Sequence, residues 1–457
     1  SNLEESIVLI TSTDEKKKNV IGTGFAFYRE DNYTYLLTCA HVIDDVGGEE
    51  NVLVNNIPAK VLATGDIQGF DLAVLRVENL NNIPLLQLIS LSEAENRKFR
   101  IVGHYLYGEE KKIILETVDG TLGKKRFARQ NNRRVAAWNL SINEGDRLRK
   151  GYSGAPVVDL ETGHVLGVAT NMEKDGAEGL AISVEALKKI WPQMPSAVSY
   201  FYLEKFDVIT VNSEGEEINR CSDEAVFFTE DLGKGVMLEM VYIPGGTFIM
   251  GSPENEAGRH DNESPQHKVT LQPFFMSKYP ITQSQYQAIM GKNPSHFKGG
   301  NRPVEFVSWY DTTEFCQKLS QKTGKNYRLP SESQWEYACR GGTTTPFYFG
   351  ETITSELANY DGNYPYGNAP KGKYRKQTTD VGNFPPNAFG LYDMYGNVWE
   401  WCQDVLHHNY EGAPTDGSAW ESEADTGRML RGGCWLNDFR NCRSARRRLL
   451  CGLPRQR

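Results

Sequence analysis

The segment Gly151-Tyr152-Ser153-Gly154-Ala155-Pro156 places one serine between two glycines. Glycine lets the backbone turn sharply, so amide N–H groups can point at a single position beside a neighbouring side chain. The amides of Gly151 and Ser153 would then form an oxyanion hole, which stabilises negative charge on a substrate carbonyl oxygen. The segment therefore predicts a nucleophilic serine on a tight turn.

Two earlier segments supply the partners that such a serine requires. A serine hydroxyl is a poor nucleophile at neutral pH, and it needs a base within hydrogen-bond reach and an acid that orients this base. His41 ends the run Thr38-Cys39-Ala40-His41, and Asp71 lies in the run Phe70-Asp71-Leu72-Ala73-Val74-Leu75. We predict that His41, Asp71 and Ser153 form a catalytic triad.

The three segments resemble, in this order, the trypsin-like serine proteases of the chymotrypsin fold, most closely their bacterial high-temperature-requirement branch. The run Gly22-Thr23-Gly24-Phe25 lies before the histidine, and the runs at 167–169 and 179–182 follow the serine as in that branch. The resemblance covers residues 5–192. It implies an all-β domain of two barrels that acts on a peptide substrate.

The same resemblance suggests a residue for substrate specificity. In this fold the residue six positions before the serine often lies at the base of the substrate pocket, and here it is Arg147. A buried cation at that place would prefer an acidic substrate residue. The alternative is that the short loop from Asn143 to Arg149 points Arg147 into solvent, and the sequence does not decide between the two.

The pattern of the first half also favours strands. Apolar and polar residues alternate in short runs at 52–54, 72–77 and 113–115, and glycine and asparagine turns separate such runs. Residues 184–191 predict a closing helix. The prolines at 192 and 195 stop this helix, so residues 193–200 are predicted to be a linker.

Composition restricts the classes of protein that fit. A chain of 457 residues should hold two or three domains, and a net charge of −9 argues against a chain-wide nucleic-acid binder. No run of about 18 apolar residues and no amino-terminal secretion signal occurs, so we expect a cytoplasmic protein without a membrane partner. The eight scattered cysteines form no Cys-x-x-Cys pair, which favours reduced thiols over structural zinc.

From Leu238 onward the chain becomes rich in aromatic residues, glycine and asparagine. Five blocks in this half resemble the formylglycine-generating enzymes, also called sulfatase-modifying factors; they lie at 238–252, 302–309, 327–338, 386–394 and 396–401. The resemblance implies that residues 201–457 form an α+β domain with a C-type-lectin-like core and much irregular structure.

The residues disagree with the chemistry of that family. Its enzymes are expected to bind Cu(I) through two cysteines shortly after a Gly-Gly-Ser segment, because soft thiolates suit this ion. Here Asn437 stands at the first expected cysteine position, and Cys434 and Cys442 do not have the family's spacing. A copper-dependent formylglycine-generating oxidase is therefore only a lesser alternative.

Residues 431–457 resemble instead the variable region of diversity-generating retroelement target proteins. That pattern is Arg-Gly-Gly-Ser-Trp, several variable residues and then Cys-Arg-Ser-Ala; here Cys434 replaces its serine, and the usual closing strand is missing. A nonvariable member of the same family is the alternative. The resemblance implies a surface for a protein or other macromolecular ligand, formed by Leu436, Asn437, Asp438, Phe439, Arg447, Leu449 and Leu450.

Arginines are frequent in this tail, and two interpretations apply to them. Guanidinium groups either bind an external anion or pair with carboxylates inside the domain. We favour internal pairing for Arg443 and Arg446, and exposure for Arg447 and Arg448.

The formylglycine-generating family also implies a structural calcium ion. Calcium prefers oxygen ligands, and the family's site falls on Asp393, Gly396, Val398 and Glu400, with two carboxylates and two carbonyls. The alternative for Glu400 is a buried acid that pairs with an arginine.

Taken together, the sequence predicts a ligand-binding domain of C-type-lectin type coupled to a serine endopeptidase domain. The alternative of another class is a noncatalytic interaction protein in which both modules only bind.

Overall fold

The computed structural model describes residues 2–423 and 427–450. The chain divides into two compact units, Ser1–Leu203 and Glu204–Arg457. The first unit ends later than the predicted limit at residue 192 because Tyr200 pairs with Leu88 and donates a hydrogen bond from its hydroxyl to the carbonyl oxygen of Val184 at 3.0 Å. Part of the predicted linker at 193–200 is therefore folded into the first unit.

The first unit is built almost wholly from strands. They are β1 (Ile7–Ser12), β2 (Gly22–Glu30), β3 (Tyr33–Thr38), β4 (Val52–Val54), β5 (Ile57–Pro58), β6 (Lys60–Thr64), β7 (Ala73–Glu78), β8 (Leu88–Ser90), β9 (Lys98–Tyr107), β10 (Lys112–Gln130), β11 (Arg133–Ile142), β12 (Pro156–Asp159), β13 (Val165–Glu173) and β14 (Glu178–Ser183). Strand β15 (Tyr200–Val211) contains the limit between the units, and the first unit's helices are α1 (Ala40–Asp45) and α2 (Ala186–Ile190). Helix α2 is the closing helix predicted from residues 184–191.

These strands form two sheets. One has the order β5-β4-β1-β2-β3-β7-β6, and every pair in it is antiparallel. In the other, β9, β10, β11, β14, β13 and β12 follow one another, and β12 pairs back to β9, which closes a barrel of six strands. Buried apolar residues such as Phe25, Leu36 and Val74 fill the core. This is the mainly-β, trypsin-like architecture that the motifs predict.

The described part of the second unit contains three α-helices, strands of 3 to 15 residues and long irregular segments. Its strands are β16 (Glu217–Asp231), β17 (Met237–Ile243), β18 (Gly246–Met250), β19 (His267–Leu271), β20 (Phe274–Ser277), β21 (Glu400–Val405), β22 (Arg428–Arg431) and β23 (Arg448–Leu450). Its helices are α3 (Gln283–Met290), α4 (Trp309–Thr323) and α5 (Glu332–Arg340). No helix or strand lies between residues 341 and 399, which are all described, and this agrees with the expected irregular structure.

Local sequence fixes where these three helices begin and end. Each begins with a capping box in which an N-cap hydroxyl and the side chain three residues later satisfy each other's backbone amides, as Ser331 and Gln334 do for α5. Each ends at a glycine with positive φ, where a side chain would be strained. Helix α5 places the fully buried Trp335 in the hydrophobic core of the second unit, which we call the second core; that of the first unit is the first core.

Within the described residues, no helix combines the length and the apolar character that crossing a membrane requires.

Candidate functional site

His41 and Asp71 are brought together by the pairing of β3 with β7. Thr38 lies opposite Ala73 in this antiparallel pair, so the residues just after β3 and just before β7 lie side by side. Asp71 is 3% exposed, and its Oδ2 lies 2.6 Å from Nδ1 of His41. Its Oδ1 accepts a hydrogen bond from the backbone N–H of His41 at 2.9 Å. The double contact fixes the ring and leaves Nε2 as the nitrogen that can accept a proton.

The charge of Asp71 also sets the protonation of His41. Burial alone lowers the pKa of His41, but the hydrogen bond and negative charge of Asp71, with smaller contributions from Asp45 and Asp44, outweigh burial and raise the pKa above its ordinary value. His41 is therefore a stronger base than a free imidazole, and it can act as a base only above this raised pKa.

Ser153 lies on the tight turn that its flanking glycines predict. Gly151 has a φ of 114° and Gly154 a φ of 93°. A Cβ on Gly154 would lie 1.9 Å from the carbonyl oxygen of Thr23, so no larger residue fits there without moving the backbone. The hydroxyl of Ser153 is partly exposed and donates a hydrogen bond to the carbonyl oxygen of Thr170 at 3.1 Å.

Hydrogen bonds join the three predicted residues only in part. Cys39 connects their surroundings, because its sulfur lies within 4.8 Å of the ligating atoms of His41 and Asp71 and donates to the carbonyl oxygen of Ala169, which also accepts from the N–H of Gly154 next to Ser153. Among the described residues, His41 bonds to Asp71 and Ser153 bonds to Thr170, and no hydrogen bond joins Ser153 to His41. The hydroxyl must turn from the carbonyl oxygen of Thr170 before its proton can pass to His41. Catalytic hydrogen bonds often tighten only when substrate is bound.

The amides predicted for the oxyanion hole are available. Within the described part of the chain, no protein acceptor takes the backbone N–H of Gly151 or of Ser153, whereas the neighbouring N–H groups of Tyr152 and Gly154 bind the carbonyl oxygens of Arg149 and Ala169. Two free amides beside a serine hydroxyl can stabilise a developing oxyanion.

Thr23 organises this turn, a role that the sequence reasoning missed. Its hydroxyl donates to the carbonyl oxygen of Gly151 at 2.8 Å and accepts from the N–H of His104 at 2.9 Å. Its backbone N–H donates to the carbonyl oxygen of Ser153 at 3.0 Å. The signal was the threonine between two glycines at 22–24, but the sequence does not show which backbone group its hydroxyl meets.

Cys39 lies beneath the same site without being a nucleophile. Its sulfur and the ligating atoms of His41 and Asp71 lie within 4.8 Å of one another. The thiol is fully buried and donates to the carbonyl oxygen of Ala169 at 3.2 Å. Burial raises the pKa of Cys39 well above its ordinary value, so the reactive thiolate does not form near neutral pH.

The buried specificity cation predicted at Arg147 is wrong. The side chain is exposed, and its guanidinium donates to the carbonyl oxygen of Asp146 at 2.7 Å. Here the loop directs the side chain outward, because the buried residue next to it is Leu148, whose N–H binds the carbonyl oxygen of Gly176. Arg147 therefore sets no buried preference for acidic residues.

In the second unit, the residues of the expected calcium site fit a cation. Asp393 is buried; its Oδ2 accepts from the N–H of Gly382 at 2.7 Å, and its Oδ1 has no partner. Oε2 of Glu400 accepts from Nε1 of Trp335 at 2.8 Å. Burial raises the pKa of Asp393 to about 7 and that of Glu400 to about 8, and the charge of Asp393 contributes to the latter.

These two acids have no positive side chain as a partner within residues 2–423 and 427–450. Among the described residues, no lysine or arginine nitrogen lies within 4.0 Å of either carboxylate, which removes the alternative of an arginine partner for Glu400. Gly396, which lies between the two acids in the sequence, forms an isolated β-bridge with Asn359. Val398 is partly exposed. A buried carboxylate oxygen without a donor is the kind of ligand that calcium takes.

The residues predicted for the ligand surface separate into two groups. Leu436 is 57% exposed, and Asn437 and Asp438 are partly exposed beside it. Phe439 instead packs its edge on the ring of Tyr366, with centroids 5.0 Å apart. The second group, Leu449 and Leu450, lies in β23, and Leu449 packs against the second core.

Arg447 does not belong to the surface, and its predicted exposure is wrong. It is 1% exposed, and its Nε and Nη2 bind the two carboxylate oxygens of Glu332 at 2.7 and 3.0 Å. Its guanidinium also lies 4.1 Å from the ring centre of Tyr410. A buried carboxylate requires a compensating charge, and Arg447 supplies it. Residues 451–457 of the predicted variable region lie outside the described residues.

Burial raises the pKa of both Cys434 and Cys442, the two cysteines of this region that the structure describes. The thiol of Cys434 donates to Oδ1 of Asn437 at 3.0 Å, while Cys442 is buried and has a pKa well above its ordinary value because of that burial. Asn437 accepts this bond at the position where the family's enzymes have their first cysteine, so no second thiolate stands there.

Each unit matches the family that its sequence motifs resemble. Residues 22–168 match the trypsin-like peptidase domain, and residues 230–450 match the sulfatase-modifying factor enzyme 1-like domain. The chain therefore belongs to the sulfatase-modifying factor enzyme 1-like family through its second unit and carries a trypsin-like peptidase domain in its first.

Individual relatives differ in how much of their own length the match covers. The chain is 34% identical over 245 residues to the chaperone protein LppX of Paenibacillus barcinonensis, a match that covers 44% of this chain and 79% of that protein. It is 33% identical over 242 residues to the serine/threonine-protein kinase pkn1 of Chlamydia pneumoniae, which covers 45% of this chain but only 35% of the kinase. Among solved structures, Treponema denticola variable protein 1 is 27% identical, with a TM-score of 0.43, over 49% of this chain and 93% of that one.

Proposed function

We propose that the first unit is a serine endopeptidase and that the second unit binds a macromolecular ligand. The observation that carries the first part is the two-point contact of Asp71 with His41, together with a serine turn that leaves the amides of Gly151 and Ser153 free among the described residues. These are the kinds of group that acyl transfer requires.

The reaction follows from these positions. Oγ of Ser153 attacks the substrate's peptide carbonyl carbon while its proton passes to Nε2 of His41. Asp71 stabilises the resulting imidazolium, and the amides of Gly151 and Ser153 bind the oxyanion. His41 then gives its proton to the leaving amine. Water, deprotonated by His41, attacks the acyl-enzyme and restores the serine.

Hydrolysis of an unstructured protein tests this proposal. Fluorescently labelled casein is incubated with the wild-type chain and with Ser153→Ala, and we expect the variant to lose at least about 1,000-fold in rate. Ser141→Ala is the matched control, because Ser141 is an exposed serine on β11, and it should cleave like the wild type. Equal rates for the wild type and Ser153→Ala would favour a noncatalytic interaction protein.

For the second unit we propose a binding surface formed by Leu436, Asn437 and Asp438. Support comes from the exposed apolar side chain of Leu436 on a polar surface and from its neighbour Trp435, whose ring meets Phe297 edge-on with centroids 5.5 Å apart. Exposed apolar groups beside fixed aromatic rings are typical of protein recognition sites.

Selection from a library of displayed peptides tests the surface. Clones selected on the wild-type chain are rescreened on Leu436→Asp and, as a control, on Ile249→Asp, which changes an exposed apolar residue on β18. We expect most clones to lose binding to Leu436→Asp only. Clones that bind both variants like the wild type would contradict the proposal.

We also propose that Asp393 and Glu400 bind one structural calcium ion, with backbone carbonyls of Gly396 and Val398. The unpartnered Oδ1 of Asp393 supports this, because burying a carboxylate oxygen without a donor is costly unless a cation is present. The ion would hold the irregular segment that joins α5 to β21.

A further inference from the structure

The end of the β10–β11 hairpin concentrates positive charge on an acidic chain. Residues 121–143 contain no aspartate or glutamate, although the chain as a whole has a net charge of −9. The basic residues of this segment are Lys124, Lys125, Arg126, Arg129, Arg133 and Arg134. Such a patch attracts anions locally even when the net charge of the chain is negative.

One face of the hairpin combines two arginines with an exposed ring. Arg129 lies directly opposite Arg134, and both are exposed. Phe127 is on the same face, two residues from Arg129, and is 45% exposed. The guanidinium of Arg134 lies 4.5 Å from the centre of the Phe127 ring. We call Phe127, Arg129 and Arg134 the hairpin face.

Packing of the opposite face holds these residues in place. Val135 is buried in the first core, and Ala128, its partner across the hairpin, packs against that core. Oε1 of Gln130 accepts from the N–H groups of Asp66 and Phe70 at 2.9 and 3.1 Å. These contacts fix the hairpin to the first unit, and the hairpin face lies on its opposite side.

The charges of the hairpin face have no ion-pair partner among the residues that the structure describes. Within the described part of the chain, no carboxylate oxygen lies within 4.0 Å of Arg129 or Arg134; the nearby Lys125, in contrast, lies 3.8 Å from Glu93. Like charges directly opposite on paired strands repel and destabilise the pairing. An external anion bound between the two guanidinium groups would relieve this repulsion.

We propose that the hairpin face binds single-stranded nucleic acid. Guanidinium groups bind phosphate through two parallel hydrogen bonds, and Arg129 and Arg134 would hold the backbone. An exposed aromatic ring stacks on a base whatever its sequence, and Phe127 would supply that contact. The negative charge of the whole chain excludes binding over its entire surface, but it does not act against a local site of this kind.

The shape of the hairpin argues for nucleic acid over a lipid surface. A residue that enters a bilayer should stand at the tip, but the tip is the polar turn Gln130-Asn131-Asn132, with positive φ at both asparagines. Phe127 lies on the flat side of the ribbon, against the guanidinium of Arg134. An exposed ring beside a guanidinium group offers stacking and phosphate contacts to a nucleotide, which an acyl chain cannot use.

Fluorescence anisotropy with the full chain tests the proposal. The probe is a fluorescein-labelled, mixed-sequence DNA single strand of about 20 nucleotides, long enough for one binding site. Arg129→Gln/Arg134→Gln should weaken binding at least tenfold and reduce the slope of log affinity against log salt by about 1.4, since each phosphate contact in a single strand contributes about 0.7. Phe127→Ala should weaken binding roughly tenfold and leave the slope unchanged.

The control is Lys16→Gln/Lys18→Gln, which removes two exposed charges elsewhere in the first unit and should bind like the wild type. The proposal fails if the wild type does not bind the strand at about 100 µM protein, the weak end of nonspecific affinities. It also fails if the arginine variant binds like the control. Vesicles containing phosphatidylserine form a separate arm, and binding to vesicles without binding to DNA would overturn the proposal in favour of a membrane surface.

Discussion

The hydroxyl of Thr23 illustrates how one side chain can shape a catalytic turn. It bridges β9 and the nucleophile turn, since it accepts from His104 and donates to Gly151. Replacing it by valine keeps the shape but removes both bonds. The carbonyl group of Gly151 would then be free to rotate, and this rotation would change the orientation of the adjoining amides.

We therefore expect Thr23→Val to lower kcat about tenfold or more with little change in KM, because it disturbs transition-state stabilisation rather than substrate binding. Thr23→Ser retains the hydroxyl and should recover most of the rate. Steady-state hydrolysis of a peptide substrate measures both constants. A rate for Thr23→Val within twofold of the wild type would show that the hydroxyl does not position the turn.

The pair formed by His41 and Asp71 predicts a pH dependence. Hydrolysis should rise with pH as the imidazolium of His41 loses its proton, with a midpoint above the ordinary pKa of histidine. In Asp71→Asn the largest raising contributions to the pKa of His41 are gone, whereas burial and the smaller contributions of Asp45 and Asp44 remain, so the midpoint should move to lower pH. The rate should also fall by about 10,000-fold, because the ring loses its correct tautomer.

The profile of kcat/KM against pH checks this prediction, with Asp146→Asn as the control, since Asp146 does not contact His41. A midpoint in Asp71→Asn that stays in place or moves to higher pH would contradict the assigned role of Asp71.

Among single residues, the motifs predicted the contact between His41 and Asp71 better than the directions of long side chains. His41 and Asp71 meet because His41 follows β3 and Asp71 precedes β7, and these two strands pair. The two motifs include residues of both strands. Arg147 and Arg447 were misplaced because the direction of a long side chain depends on distant partners. Glu332, which binds Arg447, lies 115 residues away in the sequence.

At the scale of elements, buried ion pairs join helix α5 to strand β22. Glu332 and Glu336 are four residues apart and share one face of α5. Arg431 is fully buried and binds both, with Nε 2.9 Å from Glu332 and Nη2 2.7 Å from Glu336. A unit with so little regular structure depends on such contacts to fix its loops.

Breaking one of these pairs should therefore be costly. We expect Arg447→Ala to reduce the free energy of unfolding of the second unit by about 3–5 kcal/mol, because it leaves Glu332 with less compensation. Arg448→Ala is the matched control. That side chain is only partly buried over Trp399, so its loss should be below about 1 kcal/mol. Urea unfolding followed by tryptophan fluorescence compares them, and equal losses would contradict the buried role of Arg447.

The expected calcium ion predicts a linked change in stability. Calcium at about 100 times its dissociation constant should stabilise the wild type by about 2.7 kcal/mol relative to a chelator. Asp393→Ala should show no such gain, whereas Asp380→Ala, an exposed control, should keep it. Thermal unfolding in calcium and in chelator measures the difference. A calcium response that survives in Asp393→Ala would place the ion elsewhere.

The sequence predicted the type of elements better than their limits. The run at 113–115 predicted a strand, but β10 extends over 19 residues, because it pairs first with β9 and then with β11. Such a length depends on two partners that no local pattern shows. The closing helix at 184–191 was predicted within a few residues because proline stops it.

At the scale of the whole molecule, motif order predicted two domains of different classes, and the families matched by residues 22–168 and 230–450 agree. The limit between the units was less predictable. Two prolines suggested a linker. The pairing between Tyr200 and Leu88, however, places the residues that follow these prolines in the first unit. The pairing of a single short strand decides such a limit, and composition does not reveal it.

Covalent labelling of the full chain shows whether Ser153 is a nucleophile that His41 activates. In a fluorophosphonate reagent, Oγ of Ser153 would attack phosphorus and displace fluoride, while the proton passes to His41. Intact-protein mass spectrometry and peptide mapping should find one adduct on Ser153 in the wild type, none in Ser153→Ala and strongly slowed labelling in His41→Ala. A folded wild-type chain that forms no adduct, or an adduct that persists in Ser153→Ala, would contradict the account.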